Sequence, residues 1–374
     1  MFKIRMALMV LLMLAVAGSV PATAVQKEFQ VSAGGTLVLD LEAGGDVTVT
    51  GGSNGTAVIS INQDGPDQSN VEIDARLEGS RLVVSSGYRE HKKMQRSNIT
   101  IEVSLPYLFD IELDSMGGGL TVNGLEGTIA GKTMGGELVL DNVIGELALT
   151  TMGGEISLTN SEVDGRITTM GGEVLLEDVI GDVEATSMGG EVILRNVTRR
   201  DGSSTGEMVK ISTMGGGITV DDAPAGADVH TMGGDIIIES VYEFAKVKTM
   251  GGDILIRAAD GPVEATTMGG DVRVTVIGGM GGDVTLVSMS GEVHLTVPPG
   301  FPMDIDIELE YTKKSARNYK VISDVPLEQS ESPEWDHSRG SPCKTIHATG
   351  TANGGGNRVM LSTVNGNIYL HQGS

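Results

Sequence analysis

Apolar and polar residues alternate over short stretches of this chain, and the alternation restarts at a fixed interval. In residues 155–158, Glu-Ile-Ser-Leu, every second position is apolar, which is the period of a β-strand with one buried face. A turn-like stretch at residues 160–165 and a second short alternation around Ile167 follow, before Thr-Met-Gly-Gly returns. Each repeat therefore predicts two short strands and two turns.

The interval between equivalent residues is 18 positions and is marked by a methionine that precedes glycine. Steps of 18 residues join Met116, Met134, Met152, Met170 and Met188, and then Met214, Met232, Met250 and Met268. The step of 26 residues between these runs has its excess in residues 198–206, whose polar composition predicts a loop. A step of 21 residues leads to Met289. Such a strict internal period predicts a repeat architecture.

Equivalent residues that recur every 18 positions stack on one another if the chain coils. Ile156 would then lie beside Val174, and Leu158 beside Leu176, so that inward aliphatic residues form continuous ladders. An array of hairpins would not require identical residues at identical phases. The pattern therefore predicts an all-β fold, a parallel β-solenoid (β-helix) with 18-residue, two-strand coils.

The repeat and its flanks divide the chain into four predicted segments. Residues 1–24 are predicted to be a signal peptide, because two basic residues precede an apolar run and the small-residue site Ala-Thr-Ala ends at Ala24. No later segment has the apolar length of a transmembrane helix. We therefore expect an exported protein, either periplasmic or at the cell surface.

The mature chain is predicted to begin and end with irregular β segments that protect the ends of the repeat array. Residues 25–114 form the N-terminal cap, with an exposed basic loop at residues 89–98, and residues 115–297 form the solenoid. Residues 298–374 form a loop-rich C-terminal segment. The repeat pattern returns once in this segment, where Val364-Asn365-Gly366 takes the place of Met-Gly-Gly.

The amino-acid composition narrows the range of cores, partners and covalent links that this chain can have. The chain of 374 residues has 54 glycines but only 3% aromatic residues, which suits narrow layers of small aliphatic side chains between frequent turns. The formal net charge of −24 disfavours nucleic acid and anionic lipid as partners. We expect a solvated acidic surface, with attraction of cations or a basic partner as the alternative. Cys343 is the one cysteine, so no intrachain disulfide forms, and we expect it to pack as a small hydrophobic residue.

Four stretches in order carry a family resemblance: GGTLVLDLEAGGDVTVTG, ITIEVSLPYLFDIELDSMGGGLTV, the tandem glycine-acid-apolar repeats, and RVMLSTVNGNIYL. Through them the whole mature chain resembles the bacterial exported proteins that carry the "putative adhesin" domain of unknown function. The resemblance implies a β-solenoid at the cell surface or in the periplasm, and it brings no catalytic residues. The common family corner, Ser-Gly-Asp/Glu, occurs here at Ser290-Gly291-Glu292, whereas this chain prefers Met-Gly-Gly.

A row of acidic residues follows the glycine pairs at one phase of the repeat. Its members are Glu137, Glu155, Glu173, Glu191, Asp235, Asp253 and Asp271. Carboxylates stacked at strand spacing repel one another, and bound calcium would relieve that repulsion. The loops lack the second glycine-aspartate step of calcium-binding solenoids, so we favour solvated, screened carboxylates and keep the cation ladder as an alternative.

Two further rows occupy the same corner. The threonines at the position before the methionines, such as Thr151 and Thr169, have companions too mixed for an ice-binding face, so we expect their hydroxyls to cap the corner. The methionines could hold a soft metal such as copper(I), but neither histidine nor cysteine recurs with them, and we expect a packing ladder. The glycine pair precedes a strand and an acid, so we expect it to form a tight corner and not a phosphate-binding loop.

No residue is singled out as a catalytic acid, base or nucleophile, because paired carboxylates occur in every repeat. We therefore expect a non-enzymatic protein with no cofactor, an adhesin or interaction module that presents repetitive acidic faces to a glycan or an envelope protein. An envelope scaffold or stress-associated factor with a protein partner is the alternative. A polysaccharide-active enzyme and a calcium-binding solenoid remain further alternatives.

Overall fold

The computed structural model describes residues 23–52, 55–90, 98–198, 209–278, 281–315, 318–338 and 341–373. The predicted signal peptide, except for its last two residues, lies outside these ranges, as does most of the two predicted loops at 89–98 and 198–206. Within the described ranges the protein is all-β, with mostly parallel strand pairing and two short 3₁₀ turns, Gln68–Asn70 and Lys313–Ser315. The chain forms two compact units, Met1–Val183 and Glu184–Ser374.

The first unit contains twelve complete strands among its described residues. They are β1 (Thr23–Gln30), β2 (Gly35–Leu41), β3 (Asp46–Gly51), β4 (Thr56–Asp64), β5 (Val71–Glu78), β6 (Arg81–Tyr88), β7 (Asn98–Leu105), β8 (Phe109–Ser115), β9 (Leu120–Thr133), β10 (Leu138–Thr151), β11 (Ile156–Thr169) and β12 (Val174–Ile180). The next strand, β13 (Val183–Ser187), begins at the last residue of this unit.

The N-terminal strands of the first unit combine two kinds of pairing. β1 with β4, β4 with β7, and β5 with β6 are antiparallel, whereas β2 pairs in parallel with both β6 and β8. Leu39 lies between Val84 and Leu113 in this register, and all three side chains are buried. The strand alternation predicted for residues 25–114 is therefore confirmed, and the antiparallel pairs explain why this segment lacks the 18-residue period.

The repeat strands of the first unit pair in parallel and in register, 18 residues apart. Leu138 pairs with Leu120 on one side and with Ile156 on the other, and Ile156 pairs with Val174. These four side chains are at most 1% exposed. The predicted stacking of Ile156 on Val174 and of Leu158 on Leu176 is confirmed, because burial of the inward position fixes the register of every strand.

The prediction of two separate strands in each repeat is wrong for β9, β10 and β11. Each of these strands runs through 14 residues without interruption. The predicted turn is a bend inside the strand, where Asn142 and Asn160 adopt φ of 54° and 49°. Asparagine tolerates this left-handed conformation better than other non-glycine residues, so the chain turns while the backbone pairing resumes directly afterwards.

The second unit holds the remaining strands. They are β14 (Val192–Thr198), β15 (Val209–Ser212), β16 (Ile218–Ala223), β17 (Ala227–His230), β18 (Ile236–Val241), β19 (Ala245–Lys248), β20 (Ile254–Ala259), β21 (Val263–Thr267), β22 (Val272–Val276), β23 (Val284–Ser288), β24 (Val293–Val297), β25 (Met303–Thr312), β26 (Val321–Ser323), β27 (Glu328–Glu331), β28 (Cys343–Ala352), β29 (Asn357–Val364) and β30 (Ile368–Gln372).

Two sets of parallel strands run through the second unit. Strands β16, β18, β20, β22 and β24 pair in succession, and β15, β17, β19, β21 and β23 form the second set. Here each repeat has two short strands, as the sequence predicts. The inward side chains Ile236, Ile254 and Val272 are stacked in register and at most 1% exposed, so each set buries a continuous aliphatic ladder.

The last repeat is separated from the others in sequence but not in space. β29 pairs in parallel with β23, and β30 pairs in parallel with β24, so Thr363 lies beside Ser288 and Ile368 beside Val293. This confirms the predicted return of the repeat at Val364-Asn365-Gly366. β25 and β26 then pair with β29 and β30, and β28 pairs antiparallel with β25. Cys343, in β28, is 3% exposed and packs as the predicted small hydrophobic residue.

Candidate functional site

The hydroxyl row of the repeat corner lies inside the protein. Thr151, Thr169, Thr231, Thr249 and Thr267 are all fully buried. In the first unit the Thr169 hydroxyl donates a 2.7 Å hydrogen bond to the carbonyl of Gly154 and accepts one of 3.1 Å from the N–H of Gly172. The predicted role of these hydroxyls as caps of the corner is confirmed, and their burial removes them from any surface that could bind ice.

The acid row lies on the outside of the same corners. In the second unit the carboxylate of Asp235 accepts a hydrogen bond of 2.8 Å from the backbone N–H of Asp253. The carboxylate of Asp253 accepts one of 2.7 Å from the N–H of Asp271, and Asp271 accepts one of 2.8 Å from the N–H of Glu292. Each aspartate is therefore held against the backbone of the next repeat, a contact that offsets part of the repulsion between stacked charges.

The glutamates of the acid row have an exposed or half-buried side chain one methylene longer. In the second unit Glu191 accepts a hydrogen bond of 3.2 Å from the Thr219 hydroxyl and does not reach the backbone in the same way. In the first unit Glu137, Glu155 and Glu173 take part in the parallel pairing through their backbones. Across the described ranges, no three His, Cys, Asp or Glu side chains gather in an arrangement suited to a metal ion.

The methionine row lies on the protein surface. The side chains of Met134, Met152 and Met170 in the first unit are 48%, 43% and 42% exposed. In the second unit Met232 and Met250 are 42% and 41% exposed. Methionine is ordinarily a buried residue. The methionines of this row are exposed instead, so the packing ladder predicted from the sequence lies outside the aliphatic core.

A polar cleft of about 300 Å³ is present in the second unit, where the regular corner sequence changes. It is lined by corner residues of three successive repeats and by the loop that precedes β26. The lining residues are Asp271, Ser290, Gly291, Glu292, Asn318, Tyr319, Asn365, Gly366 and Asn367. The last aspartate of the acid row therefore lies in a site that the sequence did not predict.

Hydrogen bonds fix the polar groups of this cleft. The two oxygens of Asp271 accept from the Glu292 N–H, at 2.8 Å, and from the Arg273 guanidinium, at 2.7 Å. Glu292 Oε1 accepts a bond of 3.0 Å from Asn367 Nδ2, and Asn367 Oδ1 accepts one of 3.0 Å from the Lys320 N–H. A carboxylate has about four acceptor positions, so these oxygens retain capacity for a ligand while their orientation is set.

Aromatic rings flank the cleft in a chain that has few of them. Tyr319 lines the cleft directly, and its ring lies 6.2 Å from that of Tyr311. On the adjoining face the ring of His294 stacks on Tyr369 at 4.3 Å, and His294 Nε2 lies 3.1 Å from Glu292 Oε2. The cleft thus combines fixed hydrogen-bonding groups with an aromatic surface.

Part of this site had a signal in the sequence. At the two corners that line the cleft, Met289-Ser290-Gly291 and Val364-Asn365-Gly366 stand where the other repeats have Met-Gly-Gly. A polar side chain in place of the first glycine marks these corners as different from the others. The loop containing Tyr319 had no such signal, because only the return of the chain as β29 and β30 brings it to the corners.

The first unit also contains a cleft, of about 460 Å³. Gly44, Gly45, Gly117 and Gly118 contribute no side chains to its walls. Its polar side chains are Glu42, Asp46, Tyr88 and Asn98, fewer than the polar side chains that line the cleft in the second unit. None of the helices in the described part of the chain is long and apolar enough to cross a membrane.

The chain is similar to solved structures that are described as adhesion proteins. No protein-family model matches the chain, and no curated protein matches it. A "putative cell adhesion protein" from Clostridium sporogenes is 9% identical, with 94% of this chain and 100% of that chain covered and a TM-score of 0.21. A "putative adhesin" from Parabacteroides distasonis is 12% identical, with 74% and 90% covered and a TM-score of 0.27.

A third similar structure is described as a "putative lipid binding protein", also from Parabacteroides distasonis. It is 11% identical to this chain, with 93% of this chain and 96% of that chain covered and a TM-score of 0.24. The solved structures to which the chain is similar are therefore described as adhesion proteins or as a lipid binding protein. At these identities and TM-scores the likeness carries no argument about what the chain binds.

Proposed function

We propose that the protein is an exported, non-enzymatic adhesion module of the bacterial cell envelope, and that the polar cleft of its second unit binds a glycan. In this proposal the two sets of parallel strands are opposite walls of a β-solenoid with 18-residue coils. The module works in the periplasm or at the cell surface and uses no cofactor. Its regular coils serve as a rigid support for the cleft.

The observation that supports this proposal is the fixed polar lining of the cleft. Asp271, Glu292 and Asn367 are oriented by their hydrogen bonds to one another and to the backbone. A sugar presents several hydroxyl groups, each able to donate and accept, so it is recognised best by such preset acceptors and donors. The volume of about 300 Å³ suits one or two sugar rings, at the small end of ligand sites.

Tyr319 supplies the apolar part of the same surface. A pyranose ring has a face of C–H groups that packs on an aromatic ring, and Tyr319 is the aromatic residue that lines the cleft. The ring of Tyr311 lies 6.2 Å from that of Tyr319, tilted by 41°. Aromatic and carboxylate groups side by side are therefore available to a single bound sugar.

The charge of the protein narrows the class of glycan. The chain carries 50 acidic against 26 basic residues, and two carboxylates lie in the cleft itself. Anionic polysaccharides would be repelled, whereas neutral sugars and amino sugars with a free amine would not. We expect weak binding at each cleft, strengthened when several copies of the protein engage one surface.

A glycan-binding screen of the chain tests this proposal. Neutral or amine-bearing glycans should bind, and calorimetry should show about 10-fold to 100-fold weaker binding for Glu292→Gln and for Tyr319→Ala. Asp235→Asn is the matched control, because Asp235 has the same place in its repeat but lies outside the cleft. Equal affinity of all three variants, or no glycan binding at all, would refute the assignment of the cleft.

The non-enzymatic part of the proposal is tested with the same ligand. Incubation of the bound glycan with the purified protein should leave its chain length unchanged by mass spectrometry. Release of shorter products that stops in Glu292→Gln would instead assign an enzyme, since paired carboxylates are the groups that hydrolyse glycosidic bonds.

A protein partner is the second candidate, and a cluster in the C-terminal segment favours it. Trp335 packs edge-on against Tyr311 at 5.7 Å, and Lys313 and Lys344 lie 5.9 Å and 5.6 Å from its ring centre. Aromatic residues beside cations are frequent in protein interfaces. Capture of an envelope protein that is lost in Trp335→Ala but retained in Tyr319→Ala would support this scaffold function.

A further inference from the structure

The methionine row is the surface feature that the proposed glycan site leaves unexplained. It comprises Met116, Met134, Met152 and Met170 in the first unit. Exposure falls from 61% at Met116 through 48% and 43% to 42% at Met170, as expected when each side chain is flanked by its copy in the next repeat. All four thioether side chains are nevertheless accessible to solvent.

Backbone pairing sets the spacing of this row. The N–H of Met152 donates to the carbonyl of Thr133 at 3.1 Å, and the N–H of Met170 donates to that of Thr151 at 3.1 Å. The threonines that precede the methionines pair in parallel, Thr133 with Thr151 and Thr151 with Thr169. Successive methionines therefore follow one another at the strand spacing of about 4.7–4.9 Å.

The corner that carries each methionine is tightly closed. A Cβ on Gly172 would fall on the carbonyl oxygen of Gly154, so the second glycines of adjacent corners are in direct backbone contact. The Thr169 hydroxyl ties the same two corners together. The methionine Cα atoms are thus held at a fixed separation, and only the side chains retain freedom to adjust.

Methionine side chains of the same rotamer on successive repeats would place their sulfurs at about this backbone spacing, which suits a soft metal ion. A metal–sulfur bond is about 2.3 Å long, so one ion between two sulfurs needs them about 4.6 Å apart. Thioether sulfur is a soft ligand that selects copper(I) among the biological metals. Carboxylates three residues after the methionines, such as Glu137 and Glu155, add a negative field that attracts any cation.

We propose that the methionine row of the first unit is a binding site for soft monovalent metal ions, copper(I) in the cell, with each ion held between the thioethers of successive repeats. No histidine or cysteine is required, because four thioethers lie along one accessible edge. The ion binds without a change of oxidation state. The site is independent of the glycan cleft, which lies in the second unit and contains no methionine.

Silver(I) is the probe for this site, because it shares the ligand preference of copper(I) and does not change oxidation state in air. Calorimetric titration and native mass spectrometry of the full chain should detect bound silver. Replacing Met134, Met152 and Met170 together by leucine should remove about two bound ions, since two thioethers serve each ion. Leucine keeps the apolar volume, so the thermal unfolding of the variant should match the parent.

Two controls separate this site from the buried sulfur of the chain. Met303→Leu removes one thioether that is fully buried and should leave silver binding unchanged. Cys343→Ala removes the single thiol, which is 3% exposed, and should also leave the methionine-dependent ions in place.

Undiminished silver binding in the triple leucine variant, or absence of silver binding by the parent protein, would overturn the proposal. The single variant Met152→Leu gives a second test should the triple variant fold poorly, because it interrupts the middle of the row and should itself lower the number of bound ions. Sulfur-only coordination of copper(I) in X-ray absorption spectra of the parent would add independent support.

Discussion

The backbone N–H of Glu292 donates a hydrogen bond of 2.8 Å to Oδ1 of Asp271, 21 residues earlier in the chain. The same contact joins Asp271 to Asp253 and Asp253 to Asp235 at one-repeat separation. The backbone N–H of each following repeat therefore holds the carboxylate of the stacked aspartate in place. This contact also joins Asp271, the last member of the acid row, to Glu292 in the polar cleft.

The aspartate contact predicts different effects of two substitutions at Asp253. Asp253→Ala removes the acceptor of the Asp271 N–H and should lower the free energy of unfolding by about 0.5–1.5 kcal/mol. Asp253→Asn keeps an acceptor and removes one stacked charge, so its stability should equal or exceed that of the parent at low salt. Urea unfolding of both variants checks this, and a larger loss for asparagine than for alanine would contradict it.

Replacing the buried corner threonine by a side chain of the same shape without a hydroxyl is predicted to destabilise the protein. Thr169→Val should lower the free energy of unfolding by about 1–3 kcal/mol, because the carbonyl of Gly154 and the N–H of Gly172 lose their partner. Thr169→Ser retains the hydroxyl and should cost less. Denaturant titration of the two variants measures the difference, and equal stabilities would show that the hydroxyl is not needed at the corner.

The two glycines after each methionine are predicted to differ in their tolerance of a side chain. A Cβ on Gly172 would collide with the carbonyl of Gly154, whereas a Cβ on Gly171 has no described atom closer than 3.6 Å. Gly172→Ala should therefore destabilise the protein by about 1–3 kcal/mol or more, and Gly171→Ala should have little effect. Thermal unfolding compares the pair, and similar losses in both would refute the close approach of the corners.

Acid sensitivity is predicted at Asp141, whose pKa is lowered by hydrogen bonds from Asn160, Thr159 and Asn123. Because folding lowers this pKa, its stabilising contribution is complete above the ordinary aspartate pKa and is lost as the pH falls through the lowered value. Asp141→Asn should remove that part of the pH dependence. Stability measured from about pH 7 to pH 3 checks it, and an unchanged pH profile would contradict it.

The sequence predicted the repeat strands well because their burial pattern is strict. Ile156 and Val174 occupy the same phase, and a shift of one residue would expose every inward side chain, so their pairing followed from the 18-residue period. The interruption predicted at Asn160 was wrong, because this residue bends the strand through a left-handed conformation without ending it. Local turn signals do not distinguish a bend from a break.

The candidate site was only partly accessible to sequence reasoning. Asp271 was predicted as a member of the acid row, and Glu292 belonged to a corner recognised as different. Their position beside Asn367 and Tyr319 depends on the pairing of β24 with β30, which joins residues 75 positions apart in the chain. The exposure of Met152 also escaped prediction, because an apolar residue was expected to pack, and only the geometry of the corner directs it outward.

The calcium alternative for the acid row can be tested separately from the methionine row. Because the Asp253 and Asp271 carboxylates already accept backbone hydrogen bonds, we expect millimolar calcium to leave the unfolding temperature of metal-free protein unchanged. Scanning calorimetry with and without calcium is the measurement. A rise that disappears in Asp253→Asn would assign the acid row to calcium instead.

A crystal structure of the protein with the best ligand of the glycan screen shows directly whether the cleft of the second unit holds a sugar. We expect a sugar ring packed on Tyr319, with its hydroxyl groups within hydrogen-bonding distance of Glu292 and Asn367. An empty cleft, with the glycan bound along the corner faces of the repeats or elsewhere, would show that the cleft is not the glycan site.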